Sequence, residues 1–104
     1  GVISYSAAIS ACAKGAQWER ALWLMMGMQE HNVEPNVVSF SAAISACERG
    51  EQWERALAIL VELQQRDLEP NVISYSATIS ACERSLQLDR GLDLLRDSQE
   101  KGVR

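Results

Sequence analysis

The sequence predicts an all-α protein, an α-solenoid of three stacked helix-turn-helix repeats. Three observations lead there. Val2, Val37 and Val72 open segments that run in one register, 35 residues apart. In each segment apolar residues recur at helical spacing in two successive blocks. A hairpin of two helices, each with an apolar face, cannot bury both faces alone, so hairpins must stack. The units are 2–36, 37–71 and a shorter 72–104.

In the first helix of unit one, Tyr5, Ala8, Ile9 and Cys12 fall on one face. Ser4, Ser39 and Ser74 stand where an N-cap is expected. Gly15 and Gly50 supply the turn that follows. In the second helix Trp18, Ala21, Leu22, Met25 and Met28 repeat the spacing, as do Trp53, Ala56, Leu57, Leu60 and Leu63 one unit on. Pro35 and Pro70 close their units, since proline moves the preceding residue out of helical geometry. The third unit is weaker. Leu88 replaces the Trp, Gly91 the Ala, and Ser98 stands where Met28 and Leu63 do. Its second helix is expected to be the least stable element. The absent initiator Met and the short last unit suggest an excerpt from a longer array.

The 104 residues are 47% hydrophobic and 23% charged with two prolines, which excludes a disordered chain and a collagen. No apolar run approaches the roughly 20 residues that cross a bilayer, and no signal-peptide pattern opens the chain. No membrane partner and no small-molecule substrate are expected. The net charge of −4 counts against a nucleic-acid binder. Cys12, Cys47 and Cys82 are too far apart to share a metal and read as small core residues. No nucleophile stands beside a base and no glycine-rich phosphate loop occurs, so neither an enzyme nor a cofactor is expected.

A residue type repeated at fixed period forms a column along a solenoid. Ser6, Ser10 and Lys14 share a stripe off the core face of the first helix. It recurs as Ser41, Ser45, Arg49 and as Ser76, Ser80, Arg84. The stripe reads either as a groove wall of small hydroxyls edged by cations, suited to phosphate, or as a solvated face. Arg20, Arg55 and Arg90 each follow an acid and read as surface ion pairs. Trp18 and Trp53 read as packing residues, His31 as solvated, and Trp23 has no assigned role.

The period, the Pro-Asn-Val junctions in "VEPN" and "LEPN", and the restarts "VVSFSAAISACERGEQWERAL" and "VISYSATISACERSLQLDRGL" resemble the pentatricopeptide repeat family over the whole chain. The resemblance implies a single-stranded RNA-binding repeat module, one base per repeat. It implies that Ser6 with Asn36, and Ser41 with Asn71, select the base, and that both pairs favour adenine. Ser76 begins a third selector whose partner would lie past the unit. Ile3, Val38 and Ile73 match the positions that sandwich the base. Lys14, Arg49 and Arg84 would contact phosphate. The family further implies a longer RNA-processing or stabilising factor, protein partners through neighbouring domains, and a mitochondrion or plastid as its site. The alternative is a tetratricopeptide-like scaffold whose groove holds a peptide.

Overall fold

The computed structural model of the chain describes residues 1–102, with Leu88 described by its backbone alone. Val103 and Arg104, the end of the third unit, lie outside the described residues. Among the described residues six helices of 13 residues follow one another: α1 (Val2–Lys14), α2 (Trp18–Glu30), α3 (Val37–Arg49), α4 (Trp53–Gln65), α5 (Val72–Arg84) and α6 (Leu88–Glu100). No strand occurs among the described residues. Helices α1, α3 and α5 pack in a row, and each second helix packs on its own first helix. Helices α2 and α4 also pack on the next first helix. The result is a two-layer stack with extents of 37 × 26 × 18 Å.

The apolar spacing buries what it predicts. Ile9, Ala21, Met25 and Met28 of the first hairpin are buried, as are Phe40, Ile44, Cys47, Ala56, Leu60 and Leu63 of the second. Tyr75, Ala81 and Cys82 continue the core into the third. The register partner Tyr5 is only half-buried, whereas Phe40 and Tyr75 are enclosed.

The helix ends differ from the sequence reading in two respects. The N-caps of α3 and α5 are Asn36 and Asn71, not Ser39 and Ser74. Each serine sits three residues inside the helix and completes a capping box. Asn36 Oδ1 accepts from the Ser39 backbone N–H at 3.0 Å, and Ser39 Oγ accepts from the Asn36 N–H at 2.8 Å. Asn71 and Ser74 repeat this at 2.9 Å for both bonds. Ser4 has no asparagine to answer it, and Gly1 caps α1 without a side chain.

The turns also use different residues. Gly15 and Gly50 have φ of −89° and −85°, open to any residue. The left-handed step comes one residue later, at Ala16, Glu51 and Leu86. There Gln17, Gln52 and Gln87 donate back to the carbonyls of Cys12, Cys47 and Cys82 at 2.7–2.8 Å, the Schellman pattern. Asn32 and Asp67 do the same at the ends of α2 and α4. These turns stop the helices at Glu30 and Gln65, short of Pro35 and Pro70. Gly50 is needed for another reason. The Trp18 indole lies against it so closely that an added Cβ would overlap the ring.

Trp18 and Trp53 are half-buried, and among the described residues Arg20, Arg55 and Arg90 do not form the expected ion pairs. The Arg55 guanidinium lies 4.7 Å from the centre of the Trp18 ring, and that of Arg90 lies 5.3 Å from Trp53. Each arginine therefore stacks on the tryptophan of the hairpin before it.

Candidate functional site

The row of first helices carries a series of hollows, and the sequence-predicted residues line them. The register of α1 and α3 brings Ser6, Asn36, Ile3 and Val38 around a space of about 230 Å³. One hairpin on, Ser41, Asn71, Val38 and Ile73 surround a space of about 270 Å³. Lys14 and Arg49 line that same hollow with Ser10 and Ser45. A third hollow holds Ile73, Ser76, Ser80 and Glu48. Each of the first two hollows thus has a serine and an asparagine between two apolar residues one period apart.

The apolar residues are placed where folding gives no reason for them. Ile3, Val38 and Ile73 are 82%, 57% and 54% exposed, each the second residue of a first helix. Water contact at this many β-branched side chains in one register leaves apolar area without a partner.

The polar residues are more enclosed than an open stripe would be. Ser6 and Ser41 are 6% and 3% exposed, because the following first helix packs beside them. Ser76 is exposed. Ser41 Oγ donates to Asn71 Oδ1 at 3.1 Å, which joins the second pair across hairpins. The first pair is not joined in this way. Ser6 Oγ is buried without a hydrogen-bond partner, an unusual state for a hydroxyl inside a protein.

The capping bond fixes how each asparagine points. The Ser39 and Ser74 backbone N–H groups can only donate, so the amide face toward them is the oxygen. The Nδ2 hydrogens have no protein partner among the described residues. At the second pair Ser41 has committed its proton to Asn71, and its lone pairs remain. The outcome is a donor beside an acceptor at the lip of the hollow.

The cationic column stands in line, with unequal surroundings. Lys14, Arg49 and Arg84 are all exposed. Arg49 Nη1 donates to the Lys14 carbonyl at 3.3 Å. Arg84 Nη1 instead lies 2.8 Å from Glu48 Oε2. Lys14 and Arg49 have no carboxylate within ion-pair distance among the described residues. The sequence reading treated the three as equivalent and missed Glu48. The signal was present, since Glu48 and Glu83 precede their arginines where Ala13 precedes Lys14.

No group of His, Cys, Asp and Glu among the described residues could hold a metal ion. No helix among them is long and apolar enough to cross a membrane. Burial pushes the Cys47 thiol from its ordinary 9.0 to about 11 and raises that of Cys82 as well, so both are poor nucleophiles near neutral pH.

Comparison with known proteins agrees with the fold. The family model of the pentatricopeptide repeat domain matches residues 1–50 and 48–85, and that of the PPR repeat matches residues 73–103. Among solved structures the chain is similar to the pentatricopeptide repeat protein PPR10 in complex with an 18-nt psaJ RNA element, at 26% identity and a TM-score of 0.88. The same identity and TM-score hold for a form of PPR10 with three cysteines changed to serine, bound to the same RNA element. In both cases the match covers 100% of this chain and 15% of the other, so the chain spans a small part of that protein's length. No curated protein sequence matches. With the domain model covering most of the sequence and the solenoid matching along its whole length, the chain belongs to the pentatricopeptide repeat family.

Proposed function

We propose that the chain is a sequence-preferring single-stranded RNA-binding module that reads one base per hairpin and favours adenine. Its place is within a longer organellar RNA-processing or stabilising factor, of mitochondrion or plastid. The observation that carries the reading is the repeated hollow, a serine and an N-capping asparagine between two exposed apolar side chains. The likeness to PPR10, solved with an RNA element, supports it.

The chemistry follows from the amide's orientation. Asn71 spends its oxygen on Ser74 N–H and Ser41 O–H, and keeps two Nδ2 hydrogens to donate. Ser41 Oγ keeps its lone pairs to accept. Adenine carries an amine next to a ring-nitrogen acceptor, and meets both groups. Guanine and uracil carry a carbonyl where the amine is required, so a buried acceptor is left facing an acceptor. Cytosine has the matching groups on a smaller ring, which covers less of Val38 and Ile73. The same positions in the first hollow are Ser6, Asn36, Ile3 and Val38. Ser6 Oγ, without a protein partner, gains one when a base arrives. Lys14 and Arg49, beside the second hollow, take the phosphates.

The test grafts these hairpins into a longer array of the same family, so that preference is read one nucleotide at a time. Asn36→Asp and Asn71→Asp keep an oxygen for the capping bond and replace the donor with an acceptor. Adenine preference should fall at two consecutive nucleotides only, by about 1–3 kcal/mol each, the size of one base-edge contact. Survival of the preference after both changes, or its absence in the unchanged graft, refutes the reading.

A further inference from the structure

We infer that Glu48 occupies the phosphate-binding position of Arg84 and thereby weakens RNA contact at the third hairpin. The inference rests on the RNA reading above and adds a regulator of it.

Arg49 and Arg84 stand in the same register, and both side chains reach back to the preceding hairpin. What they find there differs. Arg49 meets the neutral carbonyl of Lys14 at 3.3 Å, because Ala13 holds the place that Glu48 holds one unit later. Its charge stays available to the groove. Arg84 meets the Glu48 carboxylate at 2.8 Å, an ion pair without hydrogen-bond geometry that sets an oxyanion where a phosphate oxygen would come. The Glu48 side chain is 17% exposed against 54% for Arg84, so the carboxylate is the better-held member of the pair. Glu48 also lines the third hollow together with Ile73 and Ser76. A phosphate approaching Arg84 must therefore displace one oxyanion and then lie beside it. The cationic track is open at Lys14 and Arg49 and closed at Arg84, although all three are cations in one register.

The experiment measures binding of the whole chain to single-stranded oligoadenylate by fluorescence anisotropy across a salt series. Glu48→Gln frees Arg84 with little change of shape, and Glu48→Ala copies the chain's own Ala13. Circular dichroism checks that both fold. Either variant should bind roughly two- to fivefold tighter at low salt, the range of a partly exposed ion pair. One added phosphate contact should also steepen the dependence of log K on log salt by about 0.7. Adding Arg84→Gln to Glu48→Gln should abolish both gains. Glu83→Gln is the charge control, since Glu83 is exposed and has no ion-pair partner among the described residues. An unchanged salt slope in Glu48→Gln, or an equal effect of Glu83→Gln, overturns the inference and leaves the RNA reading standing. Failure of every form to bind oligoadenylate at the lowest salt overturns both.

Discussion

Two glycines of the stack should respond to the same substitution with opposite sign. Gly91 lies inside α6, in the register of Ala21 and Ala56, which are both fully buried. A Cβ built on Gly91 meets Cys82 Cβ at 3.6 Å and the Ile79 carbonyl oxygen at 3.9 Å, ordinary van der Waals distances. Gly91→Ala therefore gains the helix-interior preference of alanine, about 1 kcal/mol. Burying one methyl adds at most about 0.8 kcal/mol. Gly50 gains nothing comparable, being a C-cap, and its Cβ would overlap the Trp18 indole. Gly50→Ala must push the ring from beneath Arg55, an overpacking that costs about 1–3 kcal/mol. Gly15→Ala is the internal control, because its Cβ meets nothing nearer than 3.7 Å. Native-state hydrogen exchange resolves the effect hairpin by hairpin, which suits a stack whose units open separately. Gly91→Ala should slow exchange in α6 about tenfold, since about 1.4 kcal/mol corresponds to a factor of ten. Gly50→Ala should speed it at the junction of the first two hairpins. Faster exchange in α6, or a neutral Gly50→Ala, refutes the packing account.

The stacked cations give a second contrast: Arg55→Ala should lower stability by about 0.5–1 kcal/mol in urea titrations, and Arg20→Ala, with no ring beneath it among the described residues, should stay within about 0.5 kcal/mol of zero. Equal losses would show that the ring contact contributes nothing. A third concerns alkaline pH. Burial raises Cys47 to about 11, and burial with the hydrogen bond donated to Asp97 raises Tyr75 to about 12. Both groups favour the neutral form when folded, so their contribution is intact below about pH 9, where unfolded cysteine begins to ionise, and is lost as pH rises through the folded values. The unfolding free energy should fall steadily above about pH 9, and a rise over that interval would contradict the assignment.

The fold was legible because periodicity is a statement about faces. Ile9, Ala21, Phe40 and Leu60 are buried for the reason their spacing gives. The helix ends were less legible, because a cap is chosen by geometry that several residue types satisfy. Serine and asparagine are both good N-caps, and only the chain path reveals that Asn36 takes the position and Ser39 answers it. Glycine after a helix suggested the turn, yet Glu51 and Leu86 take its left-handed step while Gly50 makes room for a ring. The site followed the same division. The Ser, Asn and apolar columns could be listed by register, and the structure gathers them into common hollows. For Arg84–Glu48 and Arg55–Trp18 the residues were visible in the sequence and the pairing was not, since each contact joins different hairpins whose meeting depends on the rise and rotation of the stack.

The capping box ties recognition to architecture at Asn36 and Asn71. Whatever stands there must offer an oxygen to a serine N–H, or α3 and α5 lose their first-turn bond. Only asparagine, aspartate, serine and threonine do this well. The vocabulary open to a designer, or to mutation over generations, is thus restricted to four side chains before any base is considered. Within those four, a change can alter the groups shown to a ligand and leave the hairpin junction standing. Outside them, a gain in discrimination arrives with a loosened joint between neighbouring units, so retuning and destabilising become the same event.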